Sequence, residues 1–434
     1  MQKLHYPGVE ETLYYEQLPN GLSVYLLPKE GFQKTYATFS TRYGSVDNHF
    51  RSGSQPLTRV PDGIAHFLEH KMFEEPQGDI FATFASQGAS ANAFTSFDRT
   101  VYLFSATEQI EANLTTLIDF VQHPYFTDQN VDKEKGIIAQ EINMYSDNPD
   151  WRVYYGLIEA MYQKHPVHID IAGTVESIYQ IDKELLYLCY NTFYHPSNML
   201  LFVVGGIDAE RIMELIRSNQ AAKSFEDIGE IERFFDPEPQ GVREPLKSLS
   251  LQVSLPKCLF GFKEKTNGLG SAELLRRDVT TKLMLETLLG SSSPLYQSLY
   301  DDNLISDSFG YEYNCSTDYG FSIIGGDTND PDRLVERIKE AIGEALQSGL
   351  DAAAFERTKK KRIGSYLRML NSPESIAGEF TRYKFRGQDL FELLPAYESL
   401  TLEQANARLR EHFDFGQLAV SLVLPTAEQE AEPS

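Results

Sequence analysis

His66 and His70 stand four residues apart, with Glu69 between them, in the run His66-Phe67-Leu68-Glu69-His70. The run sits in an apolar segment, Ile64 to Phe73, whose pattern predicts a helix. Residues at i and i+4 lie on one helical face, one turn above the other. Both imidazoles can therefore reach one metal ion. Glu69, three residues after His66, shares that face and can hold and deprotonate a water beside the metal. The order H-x-x-E-H is the inverse of the H-E-x-x-H zinc helix. The plain alternative, in a chain with 9 histidines, is a helix carrying two surface histidines. The motif therefore asks for a third ligand.

A catalytic zinc takes three protein ligands and keeps one position open. Glu74, Glu75 and Asp79 are near in sequence, but each is ordinary as a helix-end charge. The stretch Glu134-Lys135-Gly136-Ile137-Ile138-Ala139-Gln140-Glu141 offers a stronger candidate. Glu134 and Glu141, seven residues apart, share one face of a helix predicted over Asn130 to Tyr145. Glu141 sits in an otherwise apolar stripe with Ile137, Ile138 and Ile142. A carboxylate there is costly unless it is paired or bound to metal. The residues leave two readings open: a metal ligand, or a surface glutamate at the edge of the stripe.

The elements around these residues read as mixed α and β. Strands are expected at Leu22 to Leu27, after the turn pair Asn20-Gly21, and at Thr35 to Tyr43. Helical stretches follow at Asp79 to Gln87 and Gln109 to His123, with strands at Ala91 to Phe97 and Thr100 to Ala106 between them. Asn198 to Val204 reads as a buried strand. Residues Ser224 to Glu244 lose periodicity, and Phe235-Asp236-Pro237-Glu238-Pro239 reads as a linker. The second half repeats the plan. Strands are expected at Leu249 to Leu255, Cys258 to Phe262, Ser308 to Asn314 and Tyr319 to Gly325. Helices are expected at Ala272 to Leu289, Pro294 to Tyr300, Pro331 to Gln347 and Asp351 to Leu370. An internal match sets Phe67-Leu68-Glu69-His70 against Met284-Leu285-Glu286-Thr287, with Leu283 in the place of His66. Only the first half then keeps the histidines.

Composition bounds the function. At 434 residues the length suits two domains, and 41% hydrophobic content suits real cores. With 39 Lys+Arg against 63 Asp+Glu, the net charge of −24 argues against a nucleic-acid partner, which would need a basic face. Cys189, Cys258 and Cys315 form neither metal spacing nor a disulfide framework, which fits a reducing cytoplasm. Met1 to Glu11 lacks the basic and apolar regions of a secretory signal. No apolar run reaches the roughly 18 residues of a membrane span. His165, His168 and His195 lie in loop-like, proline-flanked stretches and read as surface residues.

H-x-x-E-H at His66 to His70, followed by E-K-G-I-I-A-Q-E-I at Glu134 to Ile142, resembles the pitrilysin and insulysin family of inverzincins. The resemblance covers nearly the whole chain. The length is similar to the two-domain processing-peptidase type, and the run Glu134 to Arg152 is most similar to bacterial YmfH-like peptidases. The resemblance implies an α+β (α/β) fold of two related domains, each a mixed sheet covered by helices. It implies one zinc ion per chain, held by His66, His70 and Glu141, with Glu69 as the base. Glu134 is implied as a second acidic residue supporting the site from outside the ligand set. Gly88 to Thr95 resembles the family's edge strand, onto which a peptide adds as an extra strand, with Ala91, Asn92, Ala93 and Phe94 against it. The implied activity is zinc-dependent hydrolysis of short unfolded peptides in a closed chamber. The expected organisation is a zinc-bearing peptidase domain over 1–223, a linker over 224–244, a related but inactive domain over 245–425 and a disordered tail over 426–434.

One departure stands out. The family pattern places an Arg and a Tyr about seven residues apart in the second domain, where they bind the substrate carbonyl. Here Tyr300 and Asp307 occupy those positions. Neither replaces a guanidinium, with its fixed donors and permanent charge. The expectation is a divided site, in which this chain supplies the metal and a homologous partner supplies the Arg/Tyr pair; a homodimer is the other assembly. The rival readings are a non-catalytic subunit that binds peptides or supports assembly, and a metal-dependent hydrolase of non-peptide substrates. Manganese and cobalt are alternative metals for the same residues, since metal availability also selects.

Overall fold

The computed structural model describes residues 1–76 and 78–426. Of the expected tail, 427–434 lie outside the described residues. Two sheets organise the chain. The first has strands β1 (Gln2–Tyr6), β2 (Glu11–Gln17), β3 (Ser23–Pro28), β4 (Thr35–Thr41), β5 (Ala89–Thr95), β6 (Thr100–Ala106) and β7 (Met199–Gly205), in the order β1-β2-β3-β7-β4-β6-β5. The second has β8 (Leu246–Leu251), β9 (Lys257–Glu264), β10 (Gly310–Cys315), β11 (Gly320–Asp327) and β12 (Leu418–Pro425), in the order β8-β12-β9-β11-β10.

The duplication read from Glu69 and Glu286 is written in this topology. In the first sheet β3 and β7 are parallel, and β7-β4, β4-β6 and β6-β5 are antiparallel. In the second sheet β8 and β12 are parallel, and β12-β9, β9-β11 and β11-β10 are antiparallel. Each has one long helix-bearing connection before its edge hairpin, with Ile64–Met72 in the first and Ser271–Leu289 in the second. The hairpin β1-β2 is the addition of the first sheet. Its alternation is weak, with Tyr14, Tyr15 and Glu16 all half-buried, which is why the sequence pattern did not mark it.

Contacts group the chain into two compact units that interleave along the sequence. One comprises Met1–Ile142, Ile169–Phe235 and Tyr366–Phe391; the other comprises Asn143–His168, Asp236–Ser365 and Glu392 onward. Each half thus lends a helix to the other's sheet. Helix Pro373–Phe385 covers the first sheet, with Phe380 stacked on Phe202 of β7 at 4.2 Å between centroids and edge-on to Tyr25 of β3 at 5.1 Å. Helix Pro149–Met161 covers the second, and Gly156 lies so close to β12 that an added Cβ would stand 2.5 Å from Ser421 Oγ. The expected linker is not free chain either. Ile231–Arg233 pairs with His49–Ser52, and Arg51 Nη2 donates to both carboxylate oxygens of Glu232. Glu238 accepts the backbone N–H groups of Gln163, Lys164 and His165, and Lys263 Nζ donates to Glu238, Pro239 O and Gly241 O.

The first unit's core lies between its sheet and helices, with Phe39, Tyr102, Phe104, Phe67, Leu68, Leu117 and Phe193 fully buried. The motif helix Ile64–Met72 is fixed on this core by Ile64, Phe67, Leu68 and Met72. Its start is set by Gly63, whose φ of +85° suits glycine. No described helix is long and apolar enough to cross a membrane.

Candidate metal centre

The burial that anchors the motif helix leaves His66, Glu69 and His70 on the side facing helix Asp128–Ser146 and the end of β5. Helix Asp128–Ser146 buries Val131, Glu134 and Ile138, and so turns Glu134 and Glu141 toward the histidines. Ile137, counted in the apolar stripe from the sequence, is instead 44% exposed. The stripe is narrower than it reads, because one side of this helix faces solvent.

His66 Nε2 lies 3.8 Å from Glu141 Oε1, and His70 Nε2 lies 3.5 Å from Glu141 Oε2. One donor atom from each of the three residues falls within 4.8 Å of the others. Donors about 2 Å from one ion at tetrahedral angles stand about 3.3 Å apart, so the spacing suits a single small cation. The remaining atoms of His70 agree. Its Nδ1 is 3.0 Å from Glu134 Oε1, which favours the tautomer with the proton on Nδ1 and the lone pair on Nε2. Two imidazoles and one carboxylate match the donor set of a catalytic zinc site. His66 lacks a similar support, since its buried Nδ1 has no hydrogen-bond partner among the described residues. Glu74, one of the early alternatives, is turned to Lys71 instead.

Electrostatics separate the roles. Burial pushes His66 down to about 3, assisted by the neighbouring His70, so it stays neutral as a metal ligand must. Burial also pulls on His70, but hydrogen bonding and charge from Glu134, with Glu141 and Glu69, outweigh it and raise its pKa. Glu69 is only 9% exposed, and burial raises its carboxyl above the ordinary carboxylate value, against opposing hydrogen bonds from Thr95. Glu134 shows the reverse: burial would raise it, but His70 and then Lys71 hold it low.

Two residues here were not singled out by the sequence. Thr95, the last residue of β5, donates its hydroxyl to Glu69 Oε2 at 2.6 Å. Lys71, next to His70, is fully buried; its ammonium pairs with Glu74 and stands 3.8 Å from Glu134 Oε2. A lysine directly after the motif, in an otherwise apolar helix, was the available signal for the second. The first had none beyond its place at the end of the edge strand.

β5 is the edge of its sheet, and β6 is its only ladder partner among the described residues. Ala91 and Ala93 pack toward the core, whereas Asn92 and Phe94 are exposed. Asn92 accepts the N–H of Ala93 at its side-chain oxygen, and Arg99 stands over the Phe94 ring at 5.9 Å. In the second unit, Tyr300 is 52% exposed at the end of helix Pro294–Asp301, and Asp307 is exposed in the turn before β10. Neither offers a guanidinium. Glu286, which the internal sequence match sets against Glu69, pairs with Lys361 and Arg362. His165, expected at the surface, is buried, because Glu238 ties its loop down and its Nδ1 accepts the N–H of Val167.

Comparison with known proteins identifies the family. The family profile "Insulinase (Peptidase family M16)" matches residues 46–175, and "Peptidase M16 inactive domain" matches residues 180–362. The chain is 51% identical to the "uncharacterized zinc protease YmfH" of Bacillus subtilis (strain 168), over 98% of this chain and 99% of that protein. It is 24% identical to the zinc protease PqqE of Helicobacter pylori over 84% of this chain and 82% of that one. Among solved structures, an M16-like peptidase from Alicyclobacillus acidocaldarius superposes with a TM-score of 0.93 at 45% identity, covering 96% of this chain and 99% of the other. A protease from Helicobacter pylori shares the fold, with a TM-score of 0.82 at 20% identity over 95% and 99% of the two chains. Identity of 51% over nearly the whole chain, two matching family profiles and the same two-domain fold leave one conclusion: this chain belongs to peptidase family M16, the insulinase family.

Proposed function

We propose that this chain is a zinc-dependent metalloendopeptidase subunit acting on short, unfolded peptides. The observation that carries the reading is the convergence of His66, His70 and Glu141, with Glu69 on the same helix and tied to the edge strand β5. His66, His70 and Glu141 would hold the metal, with Glu134 fixing the His70 ring. A bound zinc ion supplies Lewis-acid polarisation and lowers the pKa of water toward about 7. A peptide adds to the open side of β5 through backbone hydrogen bonds, beside Ala91, Asn92, Ala93 and Phe94. Glu69 accepts the proton of the attacking water as its oxygen bonds to the scissile carbonyl carbon. It then gives that proton to the amide nitrogen, which leaves as an amine when the C–N bond breaks.

The positions of Tyr300 and Asp307 support a divided site, with a homologous partner bringing the Arg/Tyr pair. Losing an oxyanion donor costs roughly a hundredfold or more in rate. The same two positions favour a second reading, in which the chain is a non-catalytic peptide-binding or assembly subunit. A cleavage assay separates them: the zinc-loaded chain, alone and with an Arg/Tyr-bearing homologue, is given an unstructured peptide mixture, with Glu69→Gln as control. The expected result is cleavage that falls by roughly a hundredfold to ten-thousandfold in Glu69→Gln, with zinc content unchanged. Full activity of the chain alone removes the need for a partner. No cleavage under either condition, with zinc bound, favours the non-catalytic subunit.

A further inference from the structure

Glu69 has a carboxylate that must stay aimed at one place, yet its own helix fixes only the start of its side chain. The other end is fixed from the sheet. Thr95 Oγ1 stands 2.6 Å from Glu69 Oε2, a length typical of a hydroxyl donating to a carboxylate. The hydroxyl has one hydrogen, and its nearest other acceptor is Thr100 Oγ1 at 3.3 Å. That contact is longer and the acceptor is neutral, so the carboxylate is the better acceptor. Thr100 cannot supply a competing donor at full strength, because its hydroxyl donates to the carbonyl of Tyr43 at 2.9 Å. Thr100 and Tyr43 are both fully buried, so this arrangement is built into the sheet. Thr95 and Thr100 are directly paired across β5 and β6, which holds the hydroxyl in register with the motif helix.

We propose that Thr95 is a positioning residue that holds the Glu69 carboxylate in line with the edge strand β5. This rests on the reading of Glu69 as the base. Because Thr95 belongs to the strand that would receive the peptide, one residue sets the distance between the docked backbone and the proton acceptor. A peptide bound in the wrong register would meet a carboxylate held away from its scissile bond.

The test uses Thr95→Val, which keeps the branched shape and loses the donor, and Thr95→Ser, which keeps the donor. Crystal structures of the zinc-loaded wild type and variants read the carboxylate directly. The expected result is a Glu69 carboxylate beside residue 95 in the wild type and in Thr95→Ser, and a displaced or multiply placed one in Thr95→Val, with zinc retained in all three. Wherever the wild type cleaves peptide, kcat of Thr95→Val should fall about tenfold with KM unchanged, and Thr95→Ser should restore it, since a hydrogen bond to a charged group is worth about that factor. An unmoved carboxylate in Thr95→Val, an unchanged kcat, or a Thr95→Ser variant no better than Thr95→Val overturns the proposal. Glu69→Gln, run beside them, keeps the two readings apart. If it cleaves like the wild type, the assignment of the base fails, and the carboxylate positions still decide whether Thr95 orients that side chain.

Discussion

The two ring nitrogens of His70 meet different neighbours: Nδ1 faces Glu134 Oε1 at 3.0 Å, and Nε2 faces Glu141 Oε2 at 3.5 Å. An imidazole that donates from Nδ1 to a carboxylate is fixed in ring angle and is a stronger base at Nε2. Glu134 is itself held by Lys71, so a buried ammonium and an imidazole share one carboxylate. Glu134→Gln keeps the shape of this link and removes its charge. Loss of such a support typically costs about 10- to 100-fold in metal affinity. We therefore expect the zinc dissociation constant of Glu134→Gln to rise within about that range, while Glu69→Gln leaves it near the wild-type value. Competition with a chromogenic chelator measures both. An unchanged constant in Glu134→Gln would mean that Glu134 acts elsewhere than through His70.

Position along the motif helix is decided before the helix begins. Gly63 has a φ of +85°, and a Cβ built on it would stand 2.4 Å from the carbonyl oxygen of Ala172. A left-handed backbone costs an L-residue roughly 1–2 kcal/mol, and here the clash with backbone adds to it. Gly63→Ala should thus lose at least about 1–2 kcal/mol of stability in chemical denaturation and weaken zinc binding, because His66 is one turn downstream. Gly136 is the contrast. It lies exposed within helix Asp128–Ser146, with open space around its Cβ position. Gly136→Ala should stabilise by about 0.5–1 kcal/mol and leave zinc binding alone. Elements of this kind show what the sequence can and cannot express. The motif helix, the edge hairpin and the Glu134/Glu141 helix were legible because their patterns are local: i to i+4 spacing, strand patterns over Ala91 to Phe97 and Thr100 to Ala106, and charge within an apolar stripe. The exchange of helices Pro149–Met161 and Pro373–Phe385 was not legible, because their apolar faces are the same whichever sheet they cover. Thr95 was not legible because a threonine at a strand end is ordinary until the carboxylate 26 positions earlier is seen against it.

Across the whole molecule the duplicated plan has been put to two uses. The first unit gathers its polar residues around possible metal donors; the second buries a polar cluster of its own. Glu264 there accepts from His412 Nδ1 at 2.6 Å and from Arg408 and Tyr313, and His412 Nε2 meets Ser322 Oγ at 2.9 Å. Ser322, His412 and Glu264 form the order of a hydrolytic triad, yet Ser322 and His412 are buried and the Glu264 side chain is only 5% exposed, so the arrangement is structural. Burial alone would raise the Glu264 carboxyl, but His412 and Arg408 outweigh it and hold it well below its ordinary 4.5. A carboxyl with a depressed folded-state pKa binds fewer protons folded than unfolded, so stability rises with pH through that range. Its contribution is fully present above about 4.5 and is lost as pH falls below that value. Glu264→Gln removes the charge and leaves Arg408 without its buried partner, a loss that typically costs about 3–5 kcal/mol. The expected outcome at neutral pH is faster hydrogen exchange in peptides from β9, β11 and helix Leu402–His412, with those of the motif helix little changed. As pH falls below 4.5, the unfolded chain takes up the proton that the folded Glu264 carboxyl still resists, so the gap between the two proteins should narrow progressively. Hydrogen exchange read by mass spectrometry suits this test, because a chain of two units need not unfold in one step and a single melting temperature would merge them. A gap that stayed constant with pH would show that the substitution acts through packing and not through the charge of Glu264.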